Sequence, residues 1–177
     1  SLSADEGYKF AEYSLGGLYY RGQGVEQSYK KAFDLYLKAA RQGFPYADFE
    51  VAKMYRDGIG IEVNMEKADK YFSSAFIGFK GLEKQSRDDK IQYRLGWMLQ
   101  NGIGTAKDIG EAKEYYEKSA KLGNGFACYS LGKIYLMGEG VPRDKEEAIK
   151  WFTLSAEQGN EYAQFFLDNM DKFYNPS

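Results

Sequence analysis

Side chains able to do acid–base, nucleophilic or metal chemistry are sparse in this sequence. Its 177 residues include no histidine and one cysteine, Cys128. That removes Ser-His-Asp triads, Cys-His dyads, His-ligated zinc sites and imidazole proton shuttles together. It also removes any intramolecular disulfide. Catalysis within the chain would need a carboxylate pair or an activated lysine, and no such constellation recurs. Cys128, beside Ala127 at the start of a helical pattern, reads as a small half-buried residue rather than a reactive thiol. A Gly-x-Gly stands at Gly22/Gly24, Gly58/Gly60, Gly102/Gly104 and Gly138/Gly140. It is not a phosphate loop, because no strand precedes it and no Gly-Lys-Ser/Thr follows. No catalytic, metal-binding or cofactor-binding residue is assigned, no cofactor is expected, and the chain reads as a non-enzyme.

The spacing of those glycines is the informative part. Their first members lie 36, 44 and 36 residues apart, a period that marks a repeat array with an extended surface rather than a closed pocket. In the stretch from Ala127 to Gly159, small or apolar residues at Ala127, Leu131, Gly132 and Tyr135 give one helical stripe. Gly138-Glu139-Gly140 and Pro142 break it. Asp144 with Glu147 three residues on has the spacing of a capping box and opens a second helix, striped by Ala148, Phe152 and Ala156 and ended by Gly159. The other units keep these columns. The N-cap column reads Ser28, Asn64, Asp108, Asp144, each worth roughly 1 kcal/mol. A small column reads Ala32, Ala68, Ala112, Ala148, and an aromatic one Tyr36, Phe72, Tyr116, Phe152. The mid-helix column of the first helix reads Gly16, Ala52, Gly96, Gly132. Glycine there costs about 0.5–1 kcal/mol, so close packing against the alanine column is the expected cause.

The pattern A-x-Y-x-L-G-x-x-Y-x-x-G-x-G-V, then D-x-x-x-A, an aromatic and A-x-x-G, resembles the Sel1-like repeat, a relative of the tetratricopeptide repeat. The fourth unit matches almost throughout. The first has Ser28 for Asp, the third has Ile91 and Leu99 for the leading Ala and the Tyr, and the second departs furthest, with Val51-Ala52 and Phe76. The resemblance covers about nine-tenths of the chain. It implies an all-α solenoid of helix-loop-helix repeats in a right-handed superhelix, used as a protein-interaction scaffold and without catalytic activity. More loosely, the chain resembles the C-terminal region of plasmid-mobilisation relaxases of Gram-positive bacteria. In that setting it would be an accessory module that recruits partners while the chemistry lies upstream.

One repeat domain is expected over 1–177. Residues 1–7 read as the tail of a preceding repeat, because Ala4-Asp5-Glu6-Gly7 matches the ends at Ala40–Gly43, Ala120–Gly123 and Ala156–Gly159. Repeats then follow at 8–43, 44–87, 88–123 and 124–159, with a polar-faced capping helix at 160–177. In that last helix Asp168 replaces the glycine, and Asn175-Pro176-Ser177 resembles a true C-terminus. The start at Ser1 leaves room for more protein upstream. The second repeat carries about eight extra residues. Either each of two antiparallel helices gains a turn, with the next helix starting near Arg87 under a Ser86/Asp89 cap, or a surface loop forms around Gly81. The run from Glu83 to Lys90 reads as a solvated helix face.

In the tetratricopeptide fold the first helices line the concave face. Carried over by position, that face holds an aromatic in every unit: Tyr13, Phe49, Tyr93, Tyr129 and Phe165. Inter-repeat packing is the favoured reading of this column, and partly exposed tyrosines also make good anchors. Two further columns are expected to face solvent. One reads Gly17, Lys53, Trp97, Lys133 and the other Tyr20, Arg56, Gln100, Leu136. The partner-binding set is therefore Tyr13, Tyr20, Phe49, Lys53, Arg56, Tyr93, Trp97, Gln100, Tyr129 and Lys133. Trp97 with the cations suggests an acidic or carboxylate-bearing peptide with an aromatic side chain; a solvated face with scattered cations is the competing reading. The net charge of -2 gives no global attraction to nucleic acid, and no apolar run reaches the ~18 residues of a membrane span. A cytoplasmic monomer of bacterial type is the expectation.

Overall fold

The computed structural model describes residues 4–174, and the described residues form ten helices. First helices of the repeats are α1 (Ala4–Arg21), α3 (Pro45–Asp57), α5 (Asp89–Asn101), α7 (Gly125–Met137) and α9 (Glu161–Asp168). Second helices are α2 (Tyr29–Arg41), α4 (Met65–Ser86), α6 (Ile109–Lys121) and α8 (Lys145–Glu157), and a short α10 (Met170–Tyr174) follows α9. Among the described residues no helix is long and apolar enough to cross a membrane. The chain divides into two compact units, one running to Gly81 with Ile103–Thr105, the other holding Leu82–Gly102 and the chain from Ala106. Within the first, α1 packs on α2 and α2 on α3; within the second, α5, α6, α7, α8 and α9 pack in sequence.

Local chemistry closes each unit. Gly58, Gly102 and Gly138 cap α3, α5 and α7 in the left-handed conformation, each returning its N–H to a carbonyl four residues back, which glycine does without Cβ strain. The next helix begins under the expected caps: Ser28, Asn64, Asp108 and Asp144 accept from the N–H groups of Lys31, Lys67, Glu111 and Glu147. The capping residues' own N–H groups donate back to Tyr19, Tyr55, Leu99 and Tyr135 carbonyls at 2.9–3.0 Å. That bond takes the place of the reciprocal half of the capping box. Glu147 turns instead to the indole N–H of Trp151, at 3.1 Å.

The mid-helix glycines face the aromatic column rather than the alanine column. A Cβ on Gly132 would lie 2.6 Å from the Phe152 ring, and one on Gly96 would lie 2.8 Å from Tyr116. The carbonyl oxygens of Ala32 and Ala112, at 3.4 and 3.2 Å from the corresponding points on Gly16 and Gly96, come second. The ring therefore occupies the volume that a side chain would need.

Three expectations about the irregular parts are corrected. The eight extra residues of the second repeat go into α4 alone, which has 22 residues against 13 in α2, α6 and α8. Nine added helical residues and a connection one residue shorter account for the excess. The following helix, α5, keeps 13 residues and is capped by Asp88, which accepts from Lys90 and Ile91 N–H. Ser86 instead bonds the Leu82 carbonyl, one turn back in α4. Second, α1 runs through Gly7 without the break that its motif suggests. Third, the last segment is two helices, not one. Its face is not simply polar: Phe165 is 55% exposed, while Ala163 and Met170 join Leu136, Ala148 and Phe152 in a core that Phe166, Leu167 and Phe173 cover. Arg143 ties α10 down by donating to the Phe173 carbonyl. The expected terminus at Asn175-Pro176-Ser177 lies outside the described residues.

Candidate interaction groove

The aromatic column on the first helices packs both within its own repeat and onto the next, where Tyr13 meets Tyr46, Tyr93 meets Phe126 and Tyr129 meets Phe166. Within the repeat, Tyr13 meets Tyr36, Phe49 meets Phe72, Tyr93 meets Tyr116 and Tyr129 meets Phe152, with ring centroids 5.3–5.9 Å apart. Each pair joins a first helix to its second helix. Phe49 is only 7% exposed and also meets Phe79, so it belongs to the core and is removed from the contact surface. Tyr13, Tyr93 and Tyr129 remain half-buried.

The two columns expected to face solvent do so unevenly. Leu136 is 1% exposed, inside the core that supports α9 and α10. Gly17 is buried beneath the Arg21 guanidinium, which lines a cavity of about 290 Å³ with Tyr13, Leu18 and Tyr36. Tyr20 stacks edge-on against Tyr29. Lys53 pairs with Glu50 at 3.0 Å, and Arg56 forms a two-pronged bond with Asp57 at 2.8 and 3.0 Å. That bond holds the Asp57 carboxyl below its usual range. The positive charge expected in the first unit is therefore compensated by adjacent acids.

In the second unit the predicted residues converge. Tyr93, Trp97 and Gln100 from α5, and Tyr129 and Lys133 from α7, line one cavity of about 300 Å³ together with Ser130, Met137 and Glu139. The side chain of Gln100 is not free. Its carbonyl accepts from the Tyr116 hydroxyl at 2.7 Å, its amide donates to Glu139 at 3.1 Å, and Glu139 pairs with Lys107 at 3.5 Å. This relay fixes the polar wall. Burial pushes the Tyr93 and Tyr116 hydroxyls up, with Ser130 beside them opposing the shift, so both stay neutral at pH 7. The Asn101 amide donates to the Trp97 carbonyl, and the Lys133 ammonium sits over the Tyr129 ring at 5.6 Å. Met137 is exposed beside them. Glu139 and Met137 lacked a sequence signal because they fall in and beside the glycine loop, away from the helical columns. Cys128 is fully buried rather than half-buried, and burial raises its thiol. Among the described residues no cluster of acidic or thiol side chains could hold a metal ion.

Four stretches of the chain match the model of the Sel1 repeat family: residues 9–44, 45–76, 91–124 and 125–160. The chain belongs to the Sel1 repeat family. Segment 77–90, left between two matched repeats, is the lengthened end of α4 and the start of α5. Solved Sel1-repeat relatives agree. A Sel1 repeat protein from Oxalobacter formigenes is 28% identical, with TM-score 0.72 over 98% of this chain and 68% of that one. The c5321 protective antigen of uropathogenic Escherichia coli, described as displaying an SLR fold, is 35% identical, with TM-score 0.70 over 95% of this chain. Among curated proteins, the chitin synthase regulator SKT5 of Malassezia restricta is 28% identical over 133 residues, 75% of this chain. The chain spans 9% of that regulator's length and 34% of the antigen's. Sel1 repeats typically serve as non-catalytic scaffolds for protein interaction.

Proposed function

We propose that this Sel1-repeat chain is a non-enzymatic scaffold that binds a peptide or protein segment on the face of its first helices, with the α5/α7 groove as the main contact. The observation that supports this reading is the convergence of Trp97, Tyr93, Tyr129, Lys133 and Met137 around one polar relay. Large amphipathic rings beside a flexible thioether and a cation make an anchor site for a side chain with an apolar body and a polar end. Lys133 favours a ligand carboxylate, and Glu139, held by Gln100 and Lys107, favours a donor next to it. The ligand is thus a mixed-charge or acidic segment carrying an aromatic side chain. The chain acts as a monomer in the cytoplasm, with no nucleic acid, membrane or cofactor involved.

The small share of the longer relatives that this chain spans supports a second reading: an accessory module of a larger enzyme, with catalysis outside these residues and the groove recruiting its partner. A relaxase of the plasmid-mobilisation type fits that reading. A nuclease-type histidine cluster elsewhere in a longer polypeptide would support it, and further repeats alone would speak against it.

Peptides selected from a displayed random library against the immobilised chain, followed by lysine acetylation read by mass spectrometry, test the location. The bound peptide should lower labelling of Lys133 and leave Lys30 unchanged. Undiminished labelling of Lys133 contradicts the assignment.

A further inference from the structure

The lengthening of α4 builds a second cavity that shares no lining residue with the α5/α7 groove. It measures about 560 Å³ and is lined by Glu83, Lys84 and Arg87 from the α4 end, Gln92 from α5, and Lys118, Lys121 and Leu122 from the end of α6. Three of these, Glu83, Lys84 and Arg87, lie in the segment that the Sel1 family model leaves unmatched. The cavity is therefore a feature of this chain's insertion rather than of the repeat.

Two observations point to a ligand. First, four cations converge on one acid. Lys84, Arg87, Lys118 and Lys121 all line the cavity, and among the described residues none of the four forms an ion pair within 4.0 Å, although Lys118 lies over the Tyr115 ring. Clustered like charges with a single counter-charge among them repel, and an anion between them removes that cost. Second, Gln92 is 3% exposed and lines the cavity, yet only half of its amide is satisfied. Its Nε2 donates to Glu83 Oε1 at 3.0 Å, and its Oε1 is buried without a donor. The Glu83 bond fixes which way the amide faces, so the orphan is an acceptor that lacks a donor, at a cost of roughly 1–3 kcal/mol. Arg87 adds a third feature. It holds a left-handed backbone at φ 48° in the two-residue connection between α4 and α5, an uncommon conformation for a residue with a side chain.

We propose that this cavity binds a phosphate monoester whose carrier presents an N–H or O–H donor beside the phosphate. Four cations against one carboxylate leave an excess that suits a doubly charged group better than a single carboxylate. A phosphate monoester carries about -1.5 to -2 charge at pH 7 and three strong acceptor oxygens for lysine and arginine. Gln92 Oε1 is closed to solvent and meets the carrier's donor after a small turn of the amide toward the cavity, and Leu122, 56% exposed at the wall, offers an apolar contact. The volume falls in the range of small-molecule pockets. A phosphorylated side chain of a peptide and a small phosphorylated metabolite share this chemistry.

Titration calorimetry on the whole chain with N-acetyl-phosphoserine methylamide, its unphosphorylated parent, glucose 6-phosphate and inorganic sulfate tests the site. At least one of the two phosphate esters should bind more than tenfold tighter than sulfate, a dianion with no donor, and the parent should give no heat. The tighter ester identifies the carrier. Lys118→Ala/Lys121→Ala, two exposed changes, should weaken the ester more than tenfold with an unchanged helical circular-dichroism spectrum. Lys30→Ala/Lys70→Ala, removing the same charge elsewhere, should leave it intact. Absence of binding by both esters, equal binding of sulfate, or equal losses in the two double variants would overturn the proposal.

Discussion

At the scale of single residues, environment rather than type decides what each side chain does. Phe49 and Tyr93 occupy the same column, yet Phe49 is buried against Phe72 and Phe79 while Tyr93 keeps a half-exposed ring at a cavity wall. Lys53 and Lys133 also share a column, but only Lys53 has an acid one turn away, Glu50, that pairs with it. Asp48, in the first turn of α3, is the clearest titratable consequence of packing: burial pushes its carboxyl up to about 7. The folded state then holds a proton that the unfolded chain has released above about pH 4. Stability falls as pH rises from about 4 to 7, because the folded state binds more protons in that window, and the penalty is constant above it. Asp48→Asn should therefore leave stability almost unchanged at pH 4 and raise it by up to about 4 kcal/mol at pH 8. Urea denaturation at the two pH values measures this. An identical offset at both would show that the carboxyl titrates normally.

At the scale of elements, what local chemistry governs was legible in the sequence, and what long-range packing governs was not. The loops and caps were readable because glycine conformation and Ser/Asn/Asp capping act within four residues, and all four N-caps form as their types require. The mid-helix glycines signalled close approach, but which neighbour approaches depends on how ridges interlock, and it is the aromatic ring. The insertion in the second repeat was harder. Ser86 and Asp89 have a capping-box spacing, but Asp88 offers a carboxylate one residue before the helix, and it caps α5 while Ser86 closes on α4. Glu83 lies in a charged run that reads as solvated, yet α4 carries it into contact with Gln92 and buries it. Helix length was the deciding unknown, and charge pattern does not encode it. Asp88→Ala should cost about 1 kcal/mol, and Ser86→Ala should change thermal stability little. The reverse order would place the cap at Ser86 and shorten α4.

At the scale of the molecule, the chain is an array of Sel1 repeats, a repeat that typically serves as a non-catalytic interaction scaffold. Membership of the Sel1 family accounts for the loops, caps and paired helices. It does not account for the residues that differ between repeats, and those carry the functional proposal. Trp97 stands where the other repeats have Gly17, Lys53 and Lys133, and the columns identified it because no core need explained it. Its neighbours Glu139 and Met137 emerged only from the packing of α5 on α6 and of the glycine loop beyond α7. The central claim is that this groove, anchored by Trp97, holds the partner. The most direct test is the affinity of a library-selected peptide for the chain and for Trp97→Ala, measured by titration calorimetry beside the far-ultraviolet circular dichroism of each. Affinity should fall about 30-fold, equivalent to about 2 kcal/mol, with helicity retained. Equal affinities, or a loss of affinity that only accompanies a loss of helix, would contradict the claim.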